Sequence, residues 1–303
     1  MKKLRLLQAL GTLLLAVVAM PALAILNIFA TVPEWGALAE ELGGDQVKVY
    51  TATTALQDPH RIEARPSLVA RARGADLLIS TGAELEVGWL PLVQQQSGNP
   101  RIQAGEPGSF EAAQYVVVLE KPTRLDRADG DVHPAGNPHI QTDARNIARV
   151  AAPLAQRLSE LDPANATYYR QRYASFAARW RAALAHWEQR AAPLRGVPIV
   201  VHHKAFPYLE AWLGLKQIAT LEPKPGAEPT AAHLTAVLAS LRQQPAKMVI
   251  RAPYQSDRAS HWIAERAGIN AVVLPFTVGG NENVKDLFAL FDDTLQRLLR
   301  AAQ

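Results

Sequence analysis

The chain has 303 residues, 49% of them hydrophobic and 20% charged, no cysteine, and a formal net charge of +4. Without cysteine there are no disulfides, no thiolate metal ligands and no lipid-accepting cysteine. Lys2, Lys3 and Arg5 account for three units of the charge excess, so the rest of the chain is near +1 and its balance does not point to a nucleic-acid partner.

Those three cations belong to a short basic start, Met1 to Arg5, followed by an almost wholly apolar run from Leu6 to Met20 and then Ala22-Leu23-Ala24. This is the pattern of a secretory signal peptide over residues 1–24, cut after Ala24; the apolar run is too short and wrongly flanked for a permanent membrane helix. A soluble periplasmic product is expected. The 279 residues that follow are many for one hydrophobic core and suit two lobes.

In chain order, residues 27–31 predict a strand, 33–42 a helix stopped by Gly43-Gly44, and 47–51 a second strand, a succession that implies a parallel sheet. A helix over 66–73, a strand over 77–80 and a β-rich run over 115–119 complete one α/β lobe, residues 25–141. Residues 142–195 are helical, rich in Ala, Arg, Leu, Gln and Glu. One helix ends near Leu161, and a second runs from Pro163 to about Ala192 with Tyr169, Tyr173, Phe176, Trp180 and Leu184 three or four residues apart. About 30 helical residues span about 45 Å, enough to run the height of a two-lobe protein. The α/β pattern returns in residues 196–303, with strands over 197–202, 218–221, 248–250 and 271–274 and helices over 205–213, 231–243, 259–267 and 284–301. The expected fold is therefore α/β, two parallel-sheet lobes joined by one long rigid helix.

Three of the eight histidines share a setting: His60, His139 and His203 each stand in a loop at or just beyond the end of an extended segment, where α/β sheets bind ligands. His60 and His139 both follow a proline, in Asp58-Pro59-His60 and Asn137-Pro138-His139, and His203 opens a strand-to-helix junction. Neutral imidazoles suit zinc and its neighbours, and three of them plus an oxygen fill a tetrahedral site. On spacing alone each reads equally as a solvated loop histidine, because the three are far apart in sequence. His202 is expected to point the other way along its strand, and His186, His233 and His261 to lie on helix surfaces.

Further segments sharpen the reading: Asp58 to Ser67 (DPHRIEARPS), Asn137-Pro138-His139, Asp162-Pro163-Ala164-Asn165 opening the long helix, His203 to Leu209 (HKAFPYL) followed by Gly214-Leu215, and Glu228-Pro229-Thr230 before a helix. In their order and separations the chain resembles the metal-binding receptors of ABC importers for zinc or manganese, the zinc-uptake/TroA-like family, over nearly its whole length. The resemblance implies two lobes with limited closure, a metal ion held by His60, His139 and His203, an ABC permease as partner, and a monomer that does no chemistry of its own. A periplasmic metallochaperone is a further possible partner.

Three departures from the family pattern stand out. Ile140-Gln141-Thr142-Asp143 replaces the usual Trp and Asp-Pro after His139, and Arg251-Ala252-Pro253 replaces the usual motif after a late strand. The loop 277–283, where many relatives place an acid as fourth ligand, holds only Glu282, which equally reads as a helix cap; Asp286 and a water are the other candidates. Residues 126–134 hold Asp126, Asp129, Asp131 and His133, which read either as a metal-collecting loop or as ordinary solvated surface. Glu63 is the candidate for orienting a ligand imidazole from behind. Three imidazoles with at most one carboxylate favour Zn²⁺ over Mn²⁺ or Fe²⁺ as cargo. A periplasmic zinc hydrolase is the rival from another class, and no H-E-x-x-H arrangement supports it.

Overall fold

The computed structural model describes residues 25–123, 130 and 133–303. The expected signal peptide and its cut after Ala24 lie outside the described residues, as do Asp126, Asp129 and Asp131.

Two parallel four-stranded sheets share one topology. β1 (Leu26–Ala30), β2 (Val47–Thr51), β3 (Leu77–Ser80) and β4 (Ser109–Glu111) lie in the order β2-β1-β3-β4. β5 (Pro198–Val201), β6 (Lys216–Thr220), β7 (Met248–Arg251) and β8 (Asn270–Val273) repeat it as β6-β5-β7-β8. In both, the first strand lies between the second and third, so the loops leaving its carboxyl end diverge to the two sides and open a crevice. The crossovers are α1 (Pro33–Gly43), α2 (Pro66–Arg73) and α3 (Leu90–Ser97) in the first sheet, and α6 (Pro207–Leu213), α7 (Ala231–Gln243) and α8 (Arg258–Ala267) in the second. Proline starts α1, α2 and α6, where its missing N–H costs nothing, and the Thr230 hydroxyl caps α7 by accepting from the His233 amide.

Alternation along the strands sorts the core into three layers. Ile28, Ile79, Ile199, Val201 and Ile250 face one continuous cluster that runs through both lobes, whereas Phe29 and Leu78 face a separate cluster under α2 and α3, and Val200 and Val249 another under α7 and α8. The shared middle layer is filled by α1, α4 (Ala144–Leu161), α5 (Ala166–Arg190), α6 and α9 (Leu287–Ala302). An apolar layer common to both lobes resists hinge motion, because parting it would expose closely packed side chains to water.

The long helix is shorter than its composition predicts: α5 covers 25 residues, about 38 Å. The Asp162 carboxylate accepts from Asn165 Nδ2 (2.7 Å) and the Tyr169 hydroxyl (2.8 Å), which holds Pro163–Asn165 as a separate 3-10 turn. At the other end Pro193 falls in a second such turn, Ala192–Leu194. Trp180 and Trp187 tie α5 into the middle layer through hydrogen bonds to the Ala144 carbonyl (2.9 Å) and to Asp292 on α9 (3.0 Å).

The β-rich run at 115–119 is not a strand. The edge of the first sheet is Ser109–Glu111; Tyr115 ends a 3-10 turn with its ring stacked on Phe110 at 5.0 Å, and the chain then leaves the sheet for the second lobe, where the Leu119 amide donates to the Tyr208 hydroxyl (3.0 Å). The closing helix starts at Leu287 rather than 284, because Asp286 is its cap and accepts from the Ala289 amide (2.8 Å). Among the described residues no helix is long and apolar enough to cross a membrane.

Candidate metal centre

His60 sits in a turn two loops of hydrogen bonding hold still. Asp58 Oδ1 accepts from the His60 backbone amide (3.0 Å) and from its ring Nδ1 (2.8 Å), while the Trp89 indole donates to the Pro59 carbonyl (3.1 Å). A carboxylate can only accept, so the proton of the neutral imidazole stays on Nδ1 and the lone pair on Nε2. Burial of Asp58 works against its charge, yet the hydrogen bonds it accepts from His60 hold its carboxyl below the usual range.

His203 stands two residues beyond β5 and repeats the device from the other lobe: its Nδ1 meets Glu222 Oε2 at 2.7 Å, and the same oxygen accepts from the Gly226 amide at 2.8 Å. Glu222 follows β6, the strand paired beside β5, so sheet register brings together two residues far apart in sequence. Glu63, expected as the orienting acid, is exposed instead; Asp58 and Glu222 hold that position, and sequence reasoning assigned neither of them the role. Asp58 was within reach of it, being two residues from His60 in a turn-forming Asp-Pro pair.

His139 lies where the chain passes between the lobes. Asn137 Oδ1 accepts from the His139 amide (3.0 Å), the Asn137 carbonyl accepts from the Tyr208 hydroxyl (2.6 Å), and the Asn137 side chain donates to the Lys204 carbonyl (2.8 Å). Only 1% of His139 is exposed. Burial first, and then the proximity of the other histidines, which penalises adding a positive charge, lower its pKa well below the ordinary histidine value.

The three side chains converge. One ring nitrogen each from His60, His139 and His203 all lie within 4.8 Å of one another, and the ring centroids are 5.1–5.8 Å apart. Among the described residues, His60 Nε2 and both ring nitrogens of His139 are buried and find no hydrogen-bond partner. Orphaned polar atoms are costly in a buried site, and neutral lone pairs converging on one point suit a borderline cation. The His133 ring stacks 5.3 Å from that of His60 and borders a hollow of about 110 Å³ with Glu120, His139 and Lys204. A second hollow, of about 140 Å³, reaches His60 and His203 from the other side past Asp58, Glu222 and Glu228. His202, expected to point away, is 4% exposed and borders this second hollow.

The acids expected after the last strand are elsewhere. Glu282 is exposed in a turn, and Asp286 caps α9; neither belongs to the histidine group. That loop instead brings Phe276 to His139, at 5.4 Å between ring centroids. His186 and His261 are exposed, as expected, whereas His233 is half-buried and meets the Thr220 carbonyl at 2.9 Å.

Fold and site define a class: two like α/β lobes with helices between them, and a trio of converging imidazoles in the cleft. The family described as zinc-uptake complex component A, periplasmic, matches residues 28–301, and the chain belongs to it. Among curated relatives, the high-affinity zinc uptake system protein ZnuA of Paracoccus denitrificans is 25% identical over 263 residues, covering 76% of this chain and 75% of the relative. The zinc-binding lipoprotein AdcA of Streptococcus pneumoniae is 22% identical over 253 residues, covering 82% of this chain; the chain spans about half, 49%, of that relative's length. A crystal structure of ZnuA superposes with a TM-score of 0.76 at 24% identity over 92% of this chain and 99% of the other. A manganese-bound periplasmic metal-binding protein of Candidatus Liberibacter asiaticus reaches 0.74 at 16% identity, covering 92% and 100%.

Proposed function

We propose that this protein captures Zn²⁺ in the periplasm on His60, His139 and His203 and delivers it to an ABC-type membrane permease. The observation that carries the reading is the convergence of three imidazoles, two of them held through Nδ1 by the carboxylates of Asp58 and Glu222. An all-nitrogen donor set favours zinc over manganese or ferrous iron, which prefer more oxygen. A water completes the fourth position in this reading, since Glu282 points to solvent. Residues 25–141 and 196–303 act as the two jaws and 142–195 as the spine, in a monomer freed from its signal peptide after Ala24 and loaded directly or by a metallochaperone.

Mn²⁺ or Fe²⁺ cargo is the alternative within the family, and two curated relatives are named manganese ABC transporter substrate-binding lipoproteins. Competition titration with a chelating dye, run with Zn²⁺ and Mn²⁺ in parallel, tests the choice: one equivalent of zinc bound at least 100-fold tighter than manganese is expected, and the reverse order sinks the zinc assignment. The hydrolase reading gains nothing from the carboxylates that touch the histidines: Asp58 and Glu222 are both engaged by imidazole N–H groups rather than placed as a general base.

A further inference from the structure

The loop after β8 closes over His139 in a conformation its own sequence does not favour. Phe276 has φ +65°, a left-handed backbone that a bulky residue adopts only when its surroundings impose it. Its ring is packed between His139, Phe206 and Tyr254, with centroids 5.4, 5.7 and 5.8 Å away. The turn around it is tight: the Thr277 amide donates to the Pro275 carbonyl (2.7 Å), the Gly280 amide donates to the Thr277 carbonyl (3.1 Å), and a Cβ on Gly280 would collide with the Pro275 carbonyl. One side-chain bond ties this turn to the other lobe. The Thr277 hydroxyl donates to Glu34 Oε2 at 2.6 Å, with Thr277 5% and Glu34 2% exposed. Glu34 is on the first turn of α1, beneath the carboxyl end of β1, so the bond spans 243 residues of sequence and joins the first lobe to the last loop.

We propose that Glu34 and Thr277 are positioning residues of the metal centre: their hydrogen bond latches the loop 275–280 to the first lobe, keeps Phe276 over His139, and thereby slows escape of the bound ion. The inference rests on the three-histidine reading and adds the element that covers it. Strain at Phe276 favours release of the loop, and the packed ring excludes from His139 the water that must replace an imidazole as the ion leaves. A hydrogen bond to an ionised, buried acceptor is among the stronger side-chain bonds and is of the same size as strain of this kind, so it opposes release of the turn. Among the described residues Glu34 has no ionic partner, and a buried carboxylate so placed would otherwise be a costly choice.

The test compares Thr277→Val, which keeps the shape and removes the hydroxyl, with Thr277→Ser, which keeps the hydroxyl. Zinc dissociation into excess chelator is followed by stopped flow at pH 8, where Glu34, raised to about 7 by burial, is mostly ionised. The valine variant is expected to lose zinc about 10-fold faster, the loss of one charge-assisted hydrogen bond, while the serine variant stays near wild type. Rates within twofold of wild type in the valine variant overturn the latch, and equal acceleration by both variants reassigns the effect to packing. Hydrogen exchange of the metal-free protein over 275–284 reads the latch without zinc: faster exchange in the valine variant alone is expected, and no difference refutes it. Equilibrium titration of His139→Ala reports on the three-histidine reading separately, so failure of that reading and failure of the latch give different results.

Discussion

The two lobes are built to one plan and furnish the site in different ways. Each has a parallel sheet with its first strand between the second and third. The first lobe supplies His60 and its acid Asp58 from one turn after β2, two residues apart. The second supplies His203 from the end of β5 and Glu222 from the end of β6, 19 residues apart and brought together by strand pairing. His139 comes from the segment that crosses between them and is held through Asn137, which bonds Lys204 and Tyr208 of the second lobe. Each lobe therefore orients its own imidazole without help from the other, by local turn chemistry in one case and by sheet register in the other. A site made of two preset halves changes little when an ion arrives, which suits a protein whose lobes share one apolar layer.

The largest effect expected is from removing an imidazole. His60→Ala, His139→Ala and His203→Ala should each weaken zinc binding at least about 100-fold, since in the proposed site a four-coordinate ion loses a direct bond. Competition titration measures it, and wild-type affinity in any two of them would end the three-histidine assignment.

Next is a test of the buried groups that bridge the lobes, read in the metal-free protein. Burial raises the pKa of Glu34 from 4.5 to about 7. Below 4.5 the carboxyl is neutral in both folded and unfolded chains; as pH rises the unfolded chain ionises first, so stability falls between about 4.5 and 7, by at most about 3 kcal/mol. Glu34→Gln should abolish that fall, and thermal melts across the range show whether it does. His139 has the opposite sign. Its pKa is lowered by burial, so the stability it contributes is intact above 6.5 and is lost as pH falls below that value. Zinc affinity should weaken in the same direction, because protons compete for the ligand nitrogens; an affinity flat from pH 7.5 to 5 would argue against imidazole ligation.

The comparison between lobes is sharpened by Asp58→Asn and Glu222→Gln. Both leave the ligands in place and remove the acceptor charge behind one ring, and each should cost about 10- to 100-fold in zinc affinity, as outer partners of metal-bound histidines commonly do. If only one substitution has an effect, the two halves are not equivalent and the tautomer of the other ring is fixed by the ion itself. The smallest effect belongs to Glu282→Ala, whose side chain is exposed away from the cluster: affinity within twofold of wild type is expected, and a larger loss in the same titration would place Glu282 on the metal.

Much of this was legible in the chain. Apolar strand runs, proline helix starts and the long aromatic-studded helix needed only local rules, because strand period, cap chemistry and proline sterics act over a few residues. The strand placed at 115–119 failed since β-propensity there competes with a long-range tie, the Leu119 amide to Tyr208, that draws the segment off the sheet. His60, His139 and His203 could be marked by their shared loop setting and by resemblance, and Asp58 stood beside one of them.

What sequence alone determined, then, was which elements form and which imidazoles are available, since both follow from residue type and near neighbours. Tertiary structure alone decided what stands behind His203 and over His139. Glu222 reaches His203 only through the pairing of β5 with β6, and Glu34 meets Thr277 only where the two lobes close on each other. Phe276 takes a left-handed backbone against its own preference. These are contacts between residues 19 to 243 positions apart, and no local rule carries information over such separations; packing of the whole chain does.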